Sequence, residues 1–131
     1  MKPQDKGAAL ILYGTKGNIM RQDLSIKTRI TLHTVDDKER LGFGRGIELL
    51  LEGIKEYGSL NRTAKELGMA YSKAWNILRT VEQKLEVQLI NRDGAHGSTL
   101  TADGEMMLAR YQEMLNAAET AAQEVFNKYF A

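Results

Sequence analysis

The chain has 131 residues, of which 43% are hydrophobic, so it is long and apolar enough to fold around one compact core. It contains no cysteine, which excludes disulfides, thiol catalysis and cysteine-ligated zinc. The net charge of +1 by itself neither favours nor excludes nucleic acid as a partner.

Residues 1–23 are rich in lysine, glycine, glutamine and asparagine, which indicates an N-terminal arm that is partly mobile. An apolar run at residues 8–13 predicts either a short strand or a helix-like patch lying on the rest of the chain. This run is far shorter than the ~20 residues that a membrane span needs, and it lacks a signal-peptide cleavage pattern. We therefore expect a cytoplasmic protein that makes no contact with a membrane.

Residues 25–34 alternate between one side of isoleucine, leucine and threonine and another that is mainly basic, which predicts a half-buried strand. Asp36 and Asp37 favour a turn, after which residues 39–43 could return as a second strand. His33 and these acidic residues lack a ligand framework, so neither a metal site nor a cofactor is predicted.

A first helix is predicted at about residues 45–57, ended by Gly58. Its expected buried stripe consists of Ile47, Leu50, Leu51 and Ile54. The glycines at 42, 44 and 46 superficially resemble a phosphate-binding loop, but no repeated strand–helix pattern follows them. They are therefore interpreted as a tight entry into the helix.

Residues 58–85 predict two short amphipathic helices joined by a glycine turn. Ser59 can cap the first helix, and Gly68 can adopt the left-handed conformation that ends it. The apolar positions are Leu60, Ala64 and Leu67 on the first helix and Ala74, Leu78, Val81 and Leu85 on the second. This pattern is typical of a helix-turn-helix whose second helix, at about residues 70–85, reads the DNA major groove.

A two-stranded wing is predicted after this unit. Residues 88–91 and 98–100 are its expected strands, and the glycine-rich segment between them is its turn. Wings commonly touch the DNA backbone or minor groove, which suits Arg92 and His96. For His96, the alternative is an exposed loop histidine without a role.

A long C-terminal helix is predicted at residues 102–130, capped by Thr101. It carries a heptad seam of Met107, Tyr111, Met114, Ala118, Ala121 and Val125. At 1.5 Å per residue the helix spans about 40 Å, longer than a small domain, so we expect the seam to form a homodimer interface. The alternative is that the seam packs only on the protomer's own core.

The charge distribution agrees with a DNA-binding helix-turn-helix. Residues 59–92 carry six basic and three acidic side chains, whereas residues 101–131 carry two basic and five acidic ones. The predicted DNA-contacting residues are Asn61, Arg62, Tyr71, Ser72, Lys73, Asn76, Arg79, Arg92 and His96. Among them, Asn76 suits adenine, Arg79 suits guanine, and Asn61 and Arg62 suit phosphates. Trp75 either touches a thymine methyl or sugar, or fills the gap between helices, the role that we favour.

The run GSLNRTAKELGMAYSKAWNILRTVEQKLEVQLINR and the later LTADG resemble the winged helix-turn-helix of LysR-type proteins. The stretches 58–59, 64–68, 71–75 and 100–104 resemble more closely still the DNA-binding domain of molybdate-responsive ModE-type regulators. The resemblance covers roughly residues 26–114. It differs in a shorter wing and in Ala70, where the family usually has serine. The 131 residues contain no counterpart of the family's oxyanion-binding domains, so molybdate sensing is not carried over.

The predicted fold class is mainly α with a small β component, a winged helix-turn-helix plus a long C-terminal dimerisation helix. The predicted divisions are residues 1–23 as the arm, 24–100 as the winged helix-turn-helix with its leading strand or hairpin, and 101–131 as the dimerisation helix. The predicted function is a transcriptional regulator that binds double-stranded DNA sequence-specifically as a homodimer, without an evident small-molecule site. The alternative is a winged-helix module that binds protein instead of DNA. No arrangement of catalytic residues stands out, so an enzyme is not expected.

Overall fold

The computed structural model describes residues 10–13, 18–21, 23–92 and 97–130. It divides into two compact units. One unit spans residues 29–115, and the other combines residues up to 28 with residues from 116 onward. The order of elements confirms a mainly helical fold with a small β component.

The unit that combines residues up to 28 with residues from 116 onward contains a β-hairpin. Strand β1 (Leu10–Tyr13) pairs antiparallel with β2 (Asn18–Arg21), with Leu10 opposite Arg21 and Tyr13 opposite Asn18. Of the two conformations left open for residues 8–13, the described part of the run therefore forms a strand. The rest of the predicted arm, residues 1–9, 14–17 and 22, lies outside the described residues.

The strand predicted at residues 25–34 is wrong as a continuous element. Only one antiparallel bridge forms, in which Leu32 and Phe43 exchange two backbone hydrogen bonds of 2.8 Å. The return strand fails because Asp37 accepts from the backbone amides of Glu39 at 3.0 Å and Leu41 at 3.1 Å, and Arg40 has a φ of +57°. These features fold the chain into a turn where a strand would have to stay extended.

Helix α1 (Arg45–Tyr57) has the predicted bounds, and Gly58 ends it in the left-handed conformation with φ +68°. All four residues of its predicted stripe are buried, and they form the main core with Phe43, Leu78, Leu89 and Leu108. The sequence pattern correctly predicted this helix because its period and its ending glycine are both local signals.

Helix α2 (Leu60–Glu66) and helix α3 (Tyr71–Leu85) form the helix-turn-helix. Ser59 caps α2 by accepting from the amide of Arg62 at 3.1 Å, and Gly68 is left-handed as predicted. The prediction that Leu67 is on the buried face is wrong, because its side chain is 37% exposed. Leu67 is the C-cap residue of α2, and its amide still donates to the carbonyl of Thr63 at 3.0 Å, but its side chain lies at the open end of the helix.

The wing consists of β3 (Ile90–Arg92) and β4 (Ser98–Leu100), paired antiparallel with Asn91 opposite Thr99. It is attached to the helical core through backbone hydrogen bonds. The amide of Ser98 donates to the carbonyl of Gly58 at 2.9 Å, and the amide of Thr101 donates to the carbonyl of Leu89 at 3.0 Å. The predicted hairpin is confirmed.

Helix α4 (Ala102–Phe130) has the predicted bounds, and Thr101 caps it by accepting from the amide of Gly104 at 2.9 Å. Gly104 packs so closely against Leu89, the residue before β3, that a Cβ atom there would overlap the carbonyl oxygen of Leu89. The start of α4 therefore requires glycine, a constraint that the sequence pattern did not reveal.

The predicted dimer seam on α4 must be shortened at its N-terminal end. Tyr111 is only 1% exposed within the protomer, and its hydroxyl donates to the carbonyl of Ile30 at 2.9 Å. Met107 also packs against the core. Met107 and Tyr111 therefore follow the alternative interpretation, in which the seam packs on the protomer's own core. Farther along, Met114 and Val125 are 40% and 58% exposed.

Candidate nucleic-acid interface

Helix α3 has one buried and one exposed face. Its core side carries Ala74, Leu78 and Val81, all buried, and Leu85 packs partly against them. The predicted reading face is exposed throughout and consists of Tyr71, Ser72, Lys73, Asn76, Arg79 and Thr80. Five of these six side chains are either basic or polar and uncharged, which suits contacts with phosphates and base edges. The sixth, Tyr71, is aromatic and carries a polar hydroxyl group.

The N-terminus of α3 is open. Its N-cap residue is Ala70, which has no side-chain oxygen to accept from the amides of the first turn. Helix α2 differs in this respect, because Ser59 caps it. The positive end of the α3 dipole therefore lies close to the positive charge of Lys73, and both are at the start of the reading face.

Trp75 connects α3 to the wing. Its partly buried ring packs against the core, and the guanidinium groups of Arg79 and Arg92 lie 5.4 and 5.5 Å from its centre. These distances fit cation–π contacts with both arginines. The packing supports the role in filling the gap between elements. Sequence reasoning missed the arginine contacts: the spacing of 75 and 79 on one helix could have revealed the first, but the second depends on the folded wing.

The wing arginine is also tied to a buried acid. Glu82 on α3 accepts from the amides of Leu89 at 2.8 Å and Ile90 at 3.4 Å, and its other oxygen lies 3.9 Å from a guanidinium nitrogen of Arg92. Arg92 is thus held at the base of the wing between a carboxylate and the Trp75 ring. No feature of the sequence distinguished Glu82 from a solvated acid, because its partners come from the strand that follows.

Arg62 lies on α2 above an aromatic ring. Its guanidinium is 4.8 Å from the centre of the Tyr57 ring, and its Nε is 3.9 Å from a carboxylate oxygen of Glu66. Both Asn61 and Arg62 are exposed, as a phosphate contact requires. His96 lies outside the described residues.

Lys84 is a basic residue of α3 whose charge is paired with acidic side chains of the protein itself. Its Nζ lies 3.3 Å from an oxygen of Asp37 and 3.5 Å from one of Glu39. The hydrogen bond from Lys84 to Asp37 raises the pKa of Lys84. Desolvation acts to raise the pKa of Asp37, but hydrogen bonds from Lys84 and from the Glu39 amide outweigh it and lower that pKa overall. Lys84 therefore adds little positive charge to the exposed surface.

Two kinds of feature are absent from the described ranges. They contain no group of three or more histidine or acidic side chains that could hold a metal ion. None of the helices described there is long and apolar enough to cross a membrane.

The three helices, the two-stranded wing and the exposed outer face of α3 define a winged helix-turn-helix domain. Residues 49–105 match the family model of the bacterial regulatory helix-turn-helix protein, lysR family. The chain is therefore similar to this family over these residues, which make up less than half of its length. The match begins within α1 and ends in the first turn of α4, so it includes every element of the candidate interface.

Among curated proteins, the chain is similar to the HTH-type transcriptional regulator CrgA of Neisseria meningitidis serogroup C (strain 8013). The two are 36% identical over 72 residues, which are 55% of this chain and 24% of CrgA. The same values hold for CrgA of serogroup B (strain ATCC BAA-335 / MC58). The chain thus spans about a quarter of the length of these relatives.

Among solved structures, the chain is similar to the crystal structure of the CbnR_DBD–DNA complex. The TM-score is 0.54 at 23% identity, covering 64% of this chain and 94% of that one. This similarity shows the fold. The structure of CrgA, a LysR-type transcriptional regulator from Neisseria meningitidis, aligns with a TM-score of 0.41 at 34% identity, covering 60% and 27% of the two chains.

Proposed function

We propose that this protein is a transcriptional regulator that binds double-stranded DNA sequence-specifically through α3. The observation that carries the proposal is the outer face of α3, which is exposed along its whole length, lacks acidic side chains and ends at an uncapped N-terminus. The lysR-type family match over residues 49–105 supports the same function.

In this proposal the residues divide into base readers and phosphate contacts. Asn76 pairs with adenine and Arg79 with guanine through two hydrogen bonds each. Ser72 and Lys73, beside the open end of α3, bind phosphates or base edges, and Tyr71 contacts the DNA next to them. Asn61 and Arg62 on α2 and Arg92 on the wing bind the backbone, and His96 is the second proposed wing contact.

A random-library selection with the purified protein tests the function. We expect enrichment of a defined duplex sequence, and an affinity for it that falls as salt rises, because neutralised phosphates release counterions. Enrichment without salt dependence would contradict the proposed phosphate contacts, and failure to retain any duplex would contradict DNA binding. The protein-binding alternative predicts the second result.

We further propose that the protein works as a homodimer joined along α4. The exposed apolar part of the seam, Met114 and Val125 with the small residues Ala118 and Ala121, supports this arrangement. Two-fold symmetry would set two α3 helices about one DNA turn, or ~34 Å, apart. Sedimentation at tens of micromolar protein tests the proposal: a dimer is expected, and a monomer at that concentration would contradict it.

A ModE-type relationship is a finer proposal about the DNA-binding domain. It rests on the Tyr71-x-x-Ala74-Trp75 pattern and on the glycine-rich entry into α1 at residues 42–46. It implies no ligand site in this chain. Titration with molybdate is accordingly expected to leave the duplex affinity unchanged, and an affinity change would show that a sensing site is present.

A further inference from the structure

A groove of about 520 Å³ runs beside the outer face of α3. The loop before α1 forms one wall with Leu41 and Gly42. The other wall is α3 itself, with Ser72, Lys73, Asn76, Ile77, Thr80 and Val81. The groove therefore shares its polar edge with the proposed DNA-reading face.

The groove combines an apolar interior with that polar edge. Val81 is buried and Ile77 is partly buried, so both present only part of their surface to it. Leu41 is 46% exposed and lines the groove together with Ile77 and Val81. An apolar surface left open at the edge of a reading face is available to an apolar group of the bound molecule.

The Leu41 wall is held in place before any ligand arrives. The amide of Leu41 donates to Asp37, and Asp37 is in turn paired with Lys84 of α3. On the other side of Leu41, Gly42 packs so closely on Leu32 that a Cβ atom would overlap the Leu32 carbonyl oxygen. A wall fixed at both ends loses little conformational entropy when it contacts a ligand.

The chemistry of the major groove identifies the occupant. A thymine presents its C5-methyl group there, and the adenine paired with it presents the N6 and N7 atoms that an asparagine can bind. Asn76 lines the groove next to Ile77, so an adenine partner and an apolar methyl receptor are adjacent on one helix.

We propose that this groove receives the C5-methyl group of thymine, and that Leu41 and Ile77 determine specificity for A·T pairs next to Asn76. The inference rests on the proposed DNA-binding function. It extends the proposed base-reading contacts from α3 to Leu41, a loop residue that lies outside the family match at residues 49–105.

Uracil substitution tests the inference, because uracil differs from thymine only by the missing methyl group. Each thymine of the selected duplex is replaced singly by uracil, and affinity is measured by fluorescence anisotropy. At one or two thymines per half-site we expect a loss of about three- to fivefold, the effect of removing one buried methyl group.

The variant Leu41→Ala assigns the effect to the groove. Because Leu41 is half exposed, this variant should fold, which thermal unfolding followed by circular dichroism checks. We expect its uracil penalty to shrink to less than about twofold, since the methyl group has lost its apolar partner. Leu67→Ala is the matched control: it truncates another exposed leucine of the same unit that does not line the groove, and it should keep the full penalty.

The outcomes separate the two levels of the proposal. Duplex binding that is indifferent to every uracil, or a penalty that is equal in wild type and Leu41→Ala, overturns the methyl-reading groove and leaves DNA binding intact. An apolar small molecule or a partner protein as the true occupant would produce the first of these results. Absence of any duplex binding overturns the proposed function and this inference together.

Discussion

The two halves of α3 differ in what their polar side chains do. From Tyr71 to Thr80 the polar side chains of the reading face are exposed, and Arg79 among them makes a cation–π contact with Trp75. From Val81 to Leu85, Glu82 and Lys84 are instead bound to the wing and to the loop before α1. One helix thus serves as a reading surface at its start and as an anchor at its end, and the anchors fix the angle at which the reading surface is presented.

The largest expected effect, on stability, comes from a substitution in the anchoring half of α3, residues 81–85. Glu82→Ala leaves the amides of Leu89 and Ile90 without their carboxylate acceptor and should destabilise the protein by about 2–3 kcal/mol. Urea unfolding at neutral pH measures this loss. Gln83→Ala, an exposed neighbour on the same turn, is the control and should change the free energy of unfolding by less than about 0.5 kcal/mol. Equal effects of the two variants would remove Glu82 from the anchoring role.

A substitution in the reading half of α3, residues 71–80, should change the affinity for DNA and leave the stability of the protein unchanged. Arg79→Ala is expected to cost about 1–3 kcal/mol of duplex binding free energy and to relax specificity at one base pair. The free energy of unfolding should stay near the wild-type value, because Arg79 is exposed. Binding to the selected duplex and to single-base variants of it distinguishes the roles: a uniform loss over all sequences would contradict base reading by Arg79.

Trp75 lies within the reading half of α3, where it contacts Arg92 of the wing, and its effect should be smaller. Trp75→Leu keeps an apolar side chain but removes the ring beneath Arg79, so a double-mutant cycle with Arg79→Ala should give a coupling of about 0.5–1 kcal/mol in duplex binding. Tyr57→Leu is the matched control, since it removes the ring near Arg62 instead and should not couple to Arg79. A coupling of zero for Trp75 would make its contact with Arg79 irrelevant to binding.

The smallest effect expected is the pH dependence of the Asp37–Lys84 pair. The folded-state pKa of Asp37 is lowered, so its contribution to stability is fully present above the unfolded-state pKa of about 3.9 and is lost as the pH falls through the folded value. The pKa of Lys84 is raised, so its contribution is present below about 10.4 and is lost as the pH rises through the folded value. Asp37→Asn should flatten both ends of the curve of unfolding free energy against pH, and an unchanged curve would contradict the assignment.

The difference between the two halves of α3 also explains which residues were predictable. The exposed residues of the reading face were identified from the helical period alone, because a helix with a buried face has an opposite face. The sequence pattern shows Glu82 and Lys84 only as charges of a mainly basic segment. Their partners, the amides of Leu89 and Ile90 and the carboxylate of Asp37, are brought to them by the fold.

The amino-acid sequence by itself determined the elements whose signals lie within one or two helical turns. These are α1 with its ending glycine, the Ser59 cap, the glycine turn before α3, the wing strands and the Thr101 cap. Hydrophobic periods and caps act over at most four residues, so they can be recognised without the fold.

Only the tertiary structure decided the features that depend on distant neighbours. It reduced the predicted strand at residues 25–34 to a single bridge, placed Tyr111 in the protomer's core, and brought Arg92 of the wing to the indole ring of Trp75. It also made Gly104 obligatory through the close approach of Leu89. In each case the deciding contact joins residues that are distant in sequence or belong to different elements, and local propensity carries no information about such contacts.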